Sequence, residues 1–444
     1  MVDRIQALIN EHGIRTVRLE FADFYGILRG KAIPVERFSE TITDGVQFAM
    51  PTFAIDLAGN VATGTGVAEE IGYRDLRAIP DLSTFGLLPW EPGTARVMAD
   101  IYFEGRPVAV SPRQILKKVI DKYANLGLEP VVASELEFYL CRRQEGRWVR
   151  YVDRPSMVYT ASRLSDPDDF AGRVRAALKE MGMEVLASNH EFFPSQYEIN
   201  LAHLPALQAA DLTVIFKQAV KEMAFKDGLL ATFMGRPFNG LGGSGYHLHV
   251  SLREPGTGKN VFADPDQPYG LSRTMLSFIA GQLVHAKGTM ALMAPTVNSY
   301  KRYQLFSFAP YYVLWGLDNR STYVRVPAER GSGTRVENRA ADAAANPYLV
   351  IAAVLASGLD GIEKGLDPGD PYLGDCYQIS DAANYQTVPR SLGESLDAME
   401  GDDYVRSLLG PEFIKAYLAV KRMEYQRFLD WVTDWEFNEY PFYI

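Results

Sequence analysis

The chain has 444 residues, 47% hydrophobic and 23% charged, the mix of an ordinary globular protein rather than a disordered or fibrous one. Its length exceeds what one compact core accommodates, which predicts a small and a large domain. Lys+Arg 45 against Asp+Glu 55 gives a net charge of −10, which argues against nucleic acid or anionic lipid as a general partner. Cys141 and Cys376 are the only cysteines, too few for a disulfide framework, so a cytoplasmic protein is expected. The apolar run from Tyr348 to Leu359 falls short of the ~20 residues of a membrane helix.

The first residues, MVDRIQALINEHGI, space their apolar positions as an amphipathic helix and are too charged for a signal peptide. Arg15–Asp23 alternates as a strand, and Pro, Gly and Asp punctuate the chain up to about residue 110, which predicts a small β-rich domain. Ser111-Pro112 then opens a helix that stops at Gly127. Further helices are expected over 168–182, 206–227, 271–290, 340–359 and 411–433, alternating with strands. Two glycine motifs are set aside as phosphate loops. Gly240–Gly245 fits G-x-G-x-x-G but runs into the alternating YHLHVSL, a strand where a dinucleotide site needs a helix. Gly256-Thr-Gly258-Lys259 sits in a polar turn and reads as a hairpin loop.

Three strands carry unusual pairs. In VVASELEFYL, Glu135 and Glu137 leave the same face with Cα atoms ~6.6 Å apart. His247 and His249 do the same in YHLHV, and Arg335, Glu337 and Arg339 in RVENR. Glu191 and Glu198 bracket EFFPSQYE, where Pro194-Ser195 suggests a bend that returns both acids to one place. A single pair of this kind is usually a solvated sheet face, but three together are harder to read that way. If the strands share a sheet, five glutamates and a histidine converge, and that charge opposes folding unless cations neutralise it. Carboxylate-dominated ligation suits Mg²⁺ or Mn²⁺, in two or three sites that keep positions open to substrate. Lys301, Arg302, Arg320, Arg325, Arg330, Arg335 and Arg339 crowd the next stretch, interleaved with apolar residues. Partly buried arginines need anions, and guanidinium groups suit carboxylate and phosphate. Together these residues describe phosphoryl transfer between a polyphosphate and a carboxylate substrate.

These residues resemble the glutamine synthetase family, type I class, in the segments SELEF (134–138), NHEFFPSQYEIN (189–200), GGSGYHLHVSL (242–252), APTVNSYKR (294–302), DNRSTYVRVP (318–327) and RVENRAADAAANPYL (335–349). D-x-x-G-x-x-x-G-K at Asp23–Lys31 extends the likeness toward the N-terminus. The resemblance implies an α+β fold, with a β-grasp domain at 12–106 and a catalytic domain at 112–444 built on an antiparallel β funnel flanked by helices. It implies a homo-oligomer, a dodecamer of two stacked hexameric rings or a decamer, with each site between two subunits. By position, Glu137, Glu191 and Glu198 would hold one metal and Glu135, His247 and Glu337 another. Glutamate would meet Glu137, Gly243, His247, Arg302 and Arg339. ATP would meet His249, Ser251, Arg320, Arg325 and Arg335, with Arg302, Arg325 and Arg339 as the catalytic arginines.

The departures from the family bear on the second substrate. Ammonia-using members carry a Glu where KRYQLFSFAP has Phe308, and Asp-Gly-Ser-Ser in the β-grasp loop that here reads Gln47-Phe-Ala-Met-Pro-Thr-Phe53. An apolar pocket penalises a charged ammonium and favours a neutral arylamine. Phe48, Phe53, Asp56, Tyr159 and Phe308 are therefore the candidate amine pocket of a ligase that makes a γ-glutamyl amide from a hydrophobic amine, aromatic or branched alkyl, in amine degradation. The alternatives are a glutamine synthetase in which Asp56 or Asp81 receives ammonium, and a polyamine or ethanolamine ligase. Gly242 stands where ordinary members have Asn, Ser332 where they have Lys, and His203 where an aromatic adenine platform is usual. Neither Tyr377 nor Tyr385 makes a convincing adenylylation site.

Overall fold

A computed structural model describes residues 1–153 and 158–444. The first helix, Val2–Glu11, buries Ile5 and Ile9 on one face. A seven-stranded sheet follows, in the order 28–34, 16–22, 94–103, 75–80 and 46–49, with two short strands, 86–87 and 106–107, that pair with 94–103. Strands 16–22 and 94–103 run parallel and the other pairs antiparallel. The helix Pro112–Asn125 begins with Pro at its first position, where the missing N–H costs nothing.

The second sheet has ten strands, and its main path runs 185–190, 196–201, 129–144, 246–253, 336–338, 324–326 and 315–317. All pairs on this path are antiparallel except the last. The long strand Glu129–Gln144 is its spine. Leu136 and Phe138 point to a packed face, where the Phe138 ring meets Tyr197, Phe170, Phe216 and Phe233 at centroid distances of 5.6–6.5 Å. That face fixes the register, since a slip of one residue would turn Glu135 and Glu137 into the core.

Three of the expected helices differ from the sequence reading. The 271–290 segment is two helices, Arg273–Val284 and Ala286–Met293. They break at His285, whose ring lies 2.9 Å from Asp360 and 2.7 Å from Asp402. The 340–359 helix starts at Pro347 and runs to Lys364, capped by Asn346, whose side chain accepts from the Tyr348 N–H. Residues 340–346 are a loop because Asp342 bridges Gly245 as an isolated strand pair. The last long helix, Pro411–Leu429, stops short of 433. Among the described residues no helix is long and apolar enough to cross a membrane. Both cysteines are free and buried.

The two sheets are tied together by polar contacts. Asp23 accepts from the backbone of Tyr25 and Ile27 and from Arg29, closing the Asp23–Lys31 turn. Asn346 donates to the Asp23 carbonyl at 2.7 Å. Gly26, at φ +73°, leaves 3.3 Å between where its Cβ would lie and the Asn346 Cα, so a side chain there would push the turn off the 347–364 helix.

Candidate active site

Strand register assembles the site. Glu137 stands opposite Glu198, and Glu135 opposite Asn200 on one side and His247 on the other. His249 stands opposite Glu337, and Glu337 opposite Arg325. The pairs predicted on separate strands therefore meet on one face of the sheet. His247 Nδ1 lies 2.8 Å from Glu135 and 3.9 Å from Glu337. Donor atoms of Glu135, Glu198 and His247 come within 4.8 Å of one another, as do those of Glu135, His249 and Glu337. Glu191 joins through the bend: Ser195 adopts φ +68°, and the Glu191 N–H donates to the Gln196 carbonyl at 2.8 Å.

Too many carboxylates share this face for all to ionise. Burial, and then the charges of Glu135, Glu137 and Glu191, push the Glu198 carboxyl up to about 10. Burial and Glu191 push Glu137 up to about 7, and burial foremost raises Glu191. Glu135 is held well below the usual range because the hydrogen bonds and charge of His247 and His249 outweigh its burial. Glu337 is brought down to about 2 because Arg339, the two histidines and Arg325 overcome burial. Burial and Arg339 lower His247 to about 4, which leaves its ring neutral at pH 7 and able to ligate. Neutral donors support the acids: Gln196 Nε2 and the Gly245 N–H reach Glu137 at 2.7 and 2.9 Å, and Asn200 reaches Glu135 and Glu198 at 3.1 Å. Surplus buried carboxylates with one neutral imidazole fit hard divalent cations.

The arginines divide into two groups. Arg325 Nη1 sits 2.5 Å from Glu337 and its far side bonds Asp318. Arg339 also pairs with Glu337, and its Nε is buried without a partner among the described residues. Arg302 is buried and donates to the Ala340 and Ala341 carbonyls at 3.2 Å. A Cβ on Gly245 would lie 2.8 Å from Arg302 Nη2, 2.9 Å from His247 Nε2 and 3.1 Å from Glu137 Oε1, so glycine there leaves the centre of the site open. Arg335 Nε donates to His249 Nδ1 at 3.2 Å, and Ser251 shares that strand face. Arg320 is exposed and acts electrostatically on Glu191. Arg330 is the exception in the basic stretch: it braces its own loop through the Tyr269, Pro327 and Glu329 carbonyls.

The model of the glutamine synthetase catalytic domain matches residues 109–440. The chain belongs to the glutamine synthetase family. It is 37% identical to the glutamate–isopropylamine ligase of a Pseudomonas species, over 98% of this chain and 97% of that one. It is 36% identical to the glutamine synthetase of Methanosarcina mazei, over 97% and 96%. Its fold matches ligand-free GmaS at a TM-score of 0.87 and 32% identity, covering 98% of both chains, and GmaS with ADP at the same score. Members of the glutamine synthetase family are ATP-dependent carbon–nitrogen ligases that use divalent metals and join glutamate to ammonia or an amine, and this chain is such a ligase.

Against that family background, the expected amine pocket needs correction. Phe53 is 1% exposed and packs on Phe21 and Phe24 at 5.7 and 5.8 Å, so it is a core residue and lines no open pocket. Asp56 is buried too, accepting from the Ala58 and Asn60 N–H groups and the Asn60 side chain and pairing with Arg427. Although burial acts against it, those Asn60 bonds keep its carboxyl below the usual range. Asp81 is engaged by Ser83 and Arg113. Phe48 is half-buried, edge-on to Phe21 at 5.1 Å with Lys31 above its ring. Tyr159 and Phe308 are 68% and 60% exposed, at φ +55° and +56°, left-handed conformations that aromatic residues rarely adopt. His203 is exposed on a loop. Gln196 and Asn200 were missed by the motif reading, although with Glu198 they form a period-2 polar row in QYEINL that marks them as neighbours of the carboxylates.

Proposed function

We propose that this ligase forms a γ-glutamyl amide from L-glutamate and a hydrophobic primary amine, aromatic or branched alkyl, in amine degradation. The observation that carries the reading is the combination of Phe308 where ammonia-using members carry Glu with the engagement of both candidate ammonium acceptors, Asp56 by Arg427 and Asp81 by Arg113, in ion pairs within the chain. The name of the Pseudomonas relative supports the same class.

Glu137, Glu191 and Glu198, and Glu135, His247 and Glu337, would hold Mg²⁺ or Mn²⁺. When bound, the cations supply charge neutralisation to the transferring phosphoryl group. Arg302, with Gly243, would orient glutamate beside Glu137 and His247, and Arg339 would direct its unpartnered Nε to the γ-carboxylate. Arg320, Arg325, Arg335, His249 and Ser251 would receive the triphosphate. The γ-carboxylate oxygen attacks the terminal phosphorus of ATP and ADP leaves. The amine nitrogen then attacks the carbonyl carbon of γ-glutamyl phosphate, phosphate leaves, and the nitrogen loses a proton. An arylamine, neutral at pH 7, enters this sequence without shedding a proton first, which removes the need for an acid at position 308; a branched alkylamine must first lose its proton to solvent.

Assembly into stacked rings in the cytoplasm completes the reading. It is supported by the exposed apolar residues of the C-terminal segment, Trp431, Val432, Trp435, Phe437, Phe442 and Tyr443, since patches of this kind mark interaction surfaces.

The test is ATP-dependent phosphate release with glutamate and a panel of ammonium, methylamine, isopropylamine, ethanolamine, putrescine and aniline, each product confirmed by mass. Turnover should peak with isopropylamine or aniline. A peak with ammonium would make this a glutamine synthetase, and one with putrescine or ethanolamine would make it a ligase for polar amines.

A further inference from the structure

Gly242 lies three residues before the open centre at Gly245. A Cβ there would fall 2.1 Å from Phe193 Cε2, 2.6 Å from its Cδ2 and 3.0 Å from its Cζ, well inside the ~3.5–4.0 Å at which carbon atoms meet. The Phe193 ring thus rests on bare backbone and occupies the volume that an Asn side chain at 242 would fill. The backbone beneath it is fixed, because the Gly242 carbonyl accepts from Tyr139 O–H at 2.9 Å and Tyr139 packs edge-on to Phe238 at 5.5 Å.

Phe193 is also fixed to the carboxylate cluster. It belongs to the turn between Glu191 and Glu198, and its carbonyl accepts from the Gln196 N–H at 3.1 Å. The Gln196 side chain in turn donates to Glu137 at 2.7 Å and to the Gly243 carbonyl at 3.1 Å. Phe192 stands beside it with ring centroids 5.4 Å apart and is 50% exposed, and its N–H donates to Glu191 at 3.2 Å. Two aromatic rings at the rim of a polar, carboxylate-lined site carry no donor atom for a metal or a phosphate. They offer an apolar surface beside Glu191, in a place where hydrocarbon can be buried while the nitrogen it carries faces the polar centre.

We propose that Phe193, admitted by glycine at 242, is a specificity-determining residue of the amine site, and that its ring and that of Phe192 contact the hydrocarbon substituent of the amine. This rests on the hydrophobic-amine reading and names a residue pair that enforces it. The contact discriminates by buried apolar area, so its removal should act on large amines more than on small ones.

The test compares kcat/KM for isopropylamine, aniline, methylamine and ammonium in the wild type, Phe193→Ala, Gly242→Ala and the double variant, with KM for glutamate and ATP measured alongside. Phe193→Ala should lower the isopropylamine-to-methylamine ratio roughly tenfold or more and leave both KM values in place. Gly242→Ala should lower the same ratio by displacing the ring, and the double variant should be no worse than Phe193→Ala, because the clash is gone. If Phe193→Ala does not fold, Phe193→Leu serves, and should lose preference for aniline more than for isopropylamine. A wild type that prefers ammonium overturns the hydrophobic-amine reading and this proposal with it. A wild type that prefers the larger amines, with the profile unchanged in Phe193→Ala or Phe193→Leu, overturns the pair alone, as does a loss expressed only in KM for glutamate.

Discussion

Two buried clusters of acids sit within this chain and are balanced in opposite ways. Where the two sheets meet, Arg113 is 3% exposed and bonds Asp81, Asp100 and Asp211 at 2.6–2.9 Å. Lys117 adds a second contact to Asp100 at 2.6 Å and Tyr348 O–H one to Asp211 at 2.5 Å. On the ten-stranded sheet, Arg325 and Arg339 both go to Glu337. Glu137 and Glu198 are left to neutral amide donors and the Gly245 N–H, Glu135 to Asn200 and two histidines, and Glu191 to Asn189 and a backbone N–H. The first cluster is complete within the folded chain and holds the junction together. In the second, among the described residues, Arg302 and Arg320 act on Glu137 and Glu191 only without contact, and that deficit of paired cations, more than burial or the presence of acids, distinguishes a binding centre from a structural one.

Substitution should separate the two most strongly. Arg113→Met leaves Asp211 buried and without its charge partner, a change that costs about 3–5 kcal/mol, so the variant should melt far below the wild type or fail to fold. Glu198→Gln removes a carboxylate that the metal-free fold accommodates only as the acid. The metal-free variant should melt at or above the wild-type temperature in EDTA, yet lose at least the ~100-fold in activity that the loss of outer partners of a metal site costs. Thermal melts in EDTA and ATP-dependent phosphate release read the two effects apart. A Glu198→Gln enzyme of normal activity would remove this residue from the metal centre.

Between pH 7 and pH 9 the same contrast should appear as a slope. Glu198 is pushed up to about 10 and Glu137 to about 7, whereas in the unfolded chain both are ionised above the usual ~4.3. These two carboxyls therefore bind more protons in the native metal-free protein than in the unfolded chain, and their contribution to stability falls as pH rises, whereas Lys217, lowered to about 7 by burial, contributes in the opposite direction. Glu135 and Glu337 are lowered and His247 sits at about 4, so none of the three changes charge there. The gain in melting temperature that saturating Mg²⁺ gives over EDTA should grow from pH 7 to pH 9, because the cation replaces the protons of Glu198 and Glu137 and leaves Lys217 untouched. Parallel slopes with and without Mg²⁺ would mean that the cation binds elsewhere.

What could be read from the sequence followed from local geometry. Period-2 spacing put Glu135 with Glu137 and His247 with His249 on single faces, and strand pairing then had only to bring the faces together. The N-terminal sheet and the long helices followed from punctuation and apolar spacing in the same way. Contacts made at long range were not legible. Asp56 read as an available acid because its partner, Arg427, lies 371 residues away. The alanine-rich stretch after Arg339 read as helix because alanine favours it, but the Asp342–Gly245 bridge and the Asn346–Pro347 cap delay the helix to Pro347. Arg330 was grouped with the anion-binding arginines by proximity in the chain, and its carbonyl partners became visible only in the folded loop. The meeting of Phe193 with Gly242 likewise joins residues from different turns, and glycine in a sequence does not say which ring will cover it.

The smallest expected effect tests whether the surplus of negative charge can be extended to the second substrate. Phe308 is 60% exposed at φ +56°, and glutamate tolerates that backbone no better than phenylalanine, so Phe308→Glu changes the chemistry of the position and little of its strain. A carboxylate there attracts an ammonium ion and can take its proton, while it repels hydrocarbon. Partial exposure screens the new charge, which limits the gain to about 1 kcal/mol, roughly a fivefold shift in the ratio of kcat/KM for ammonium to that for isopropylamine. The shift should vanish at high ionic strength, as an exposed charge requires. A ratio that stays at its wild-type value at low salt would show that residue 308 does not face the amine, and would leave Phe193 and Gly242 to set the choice.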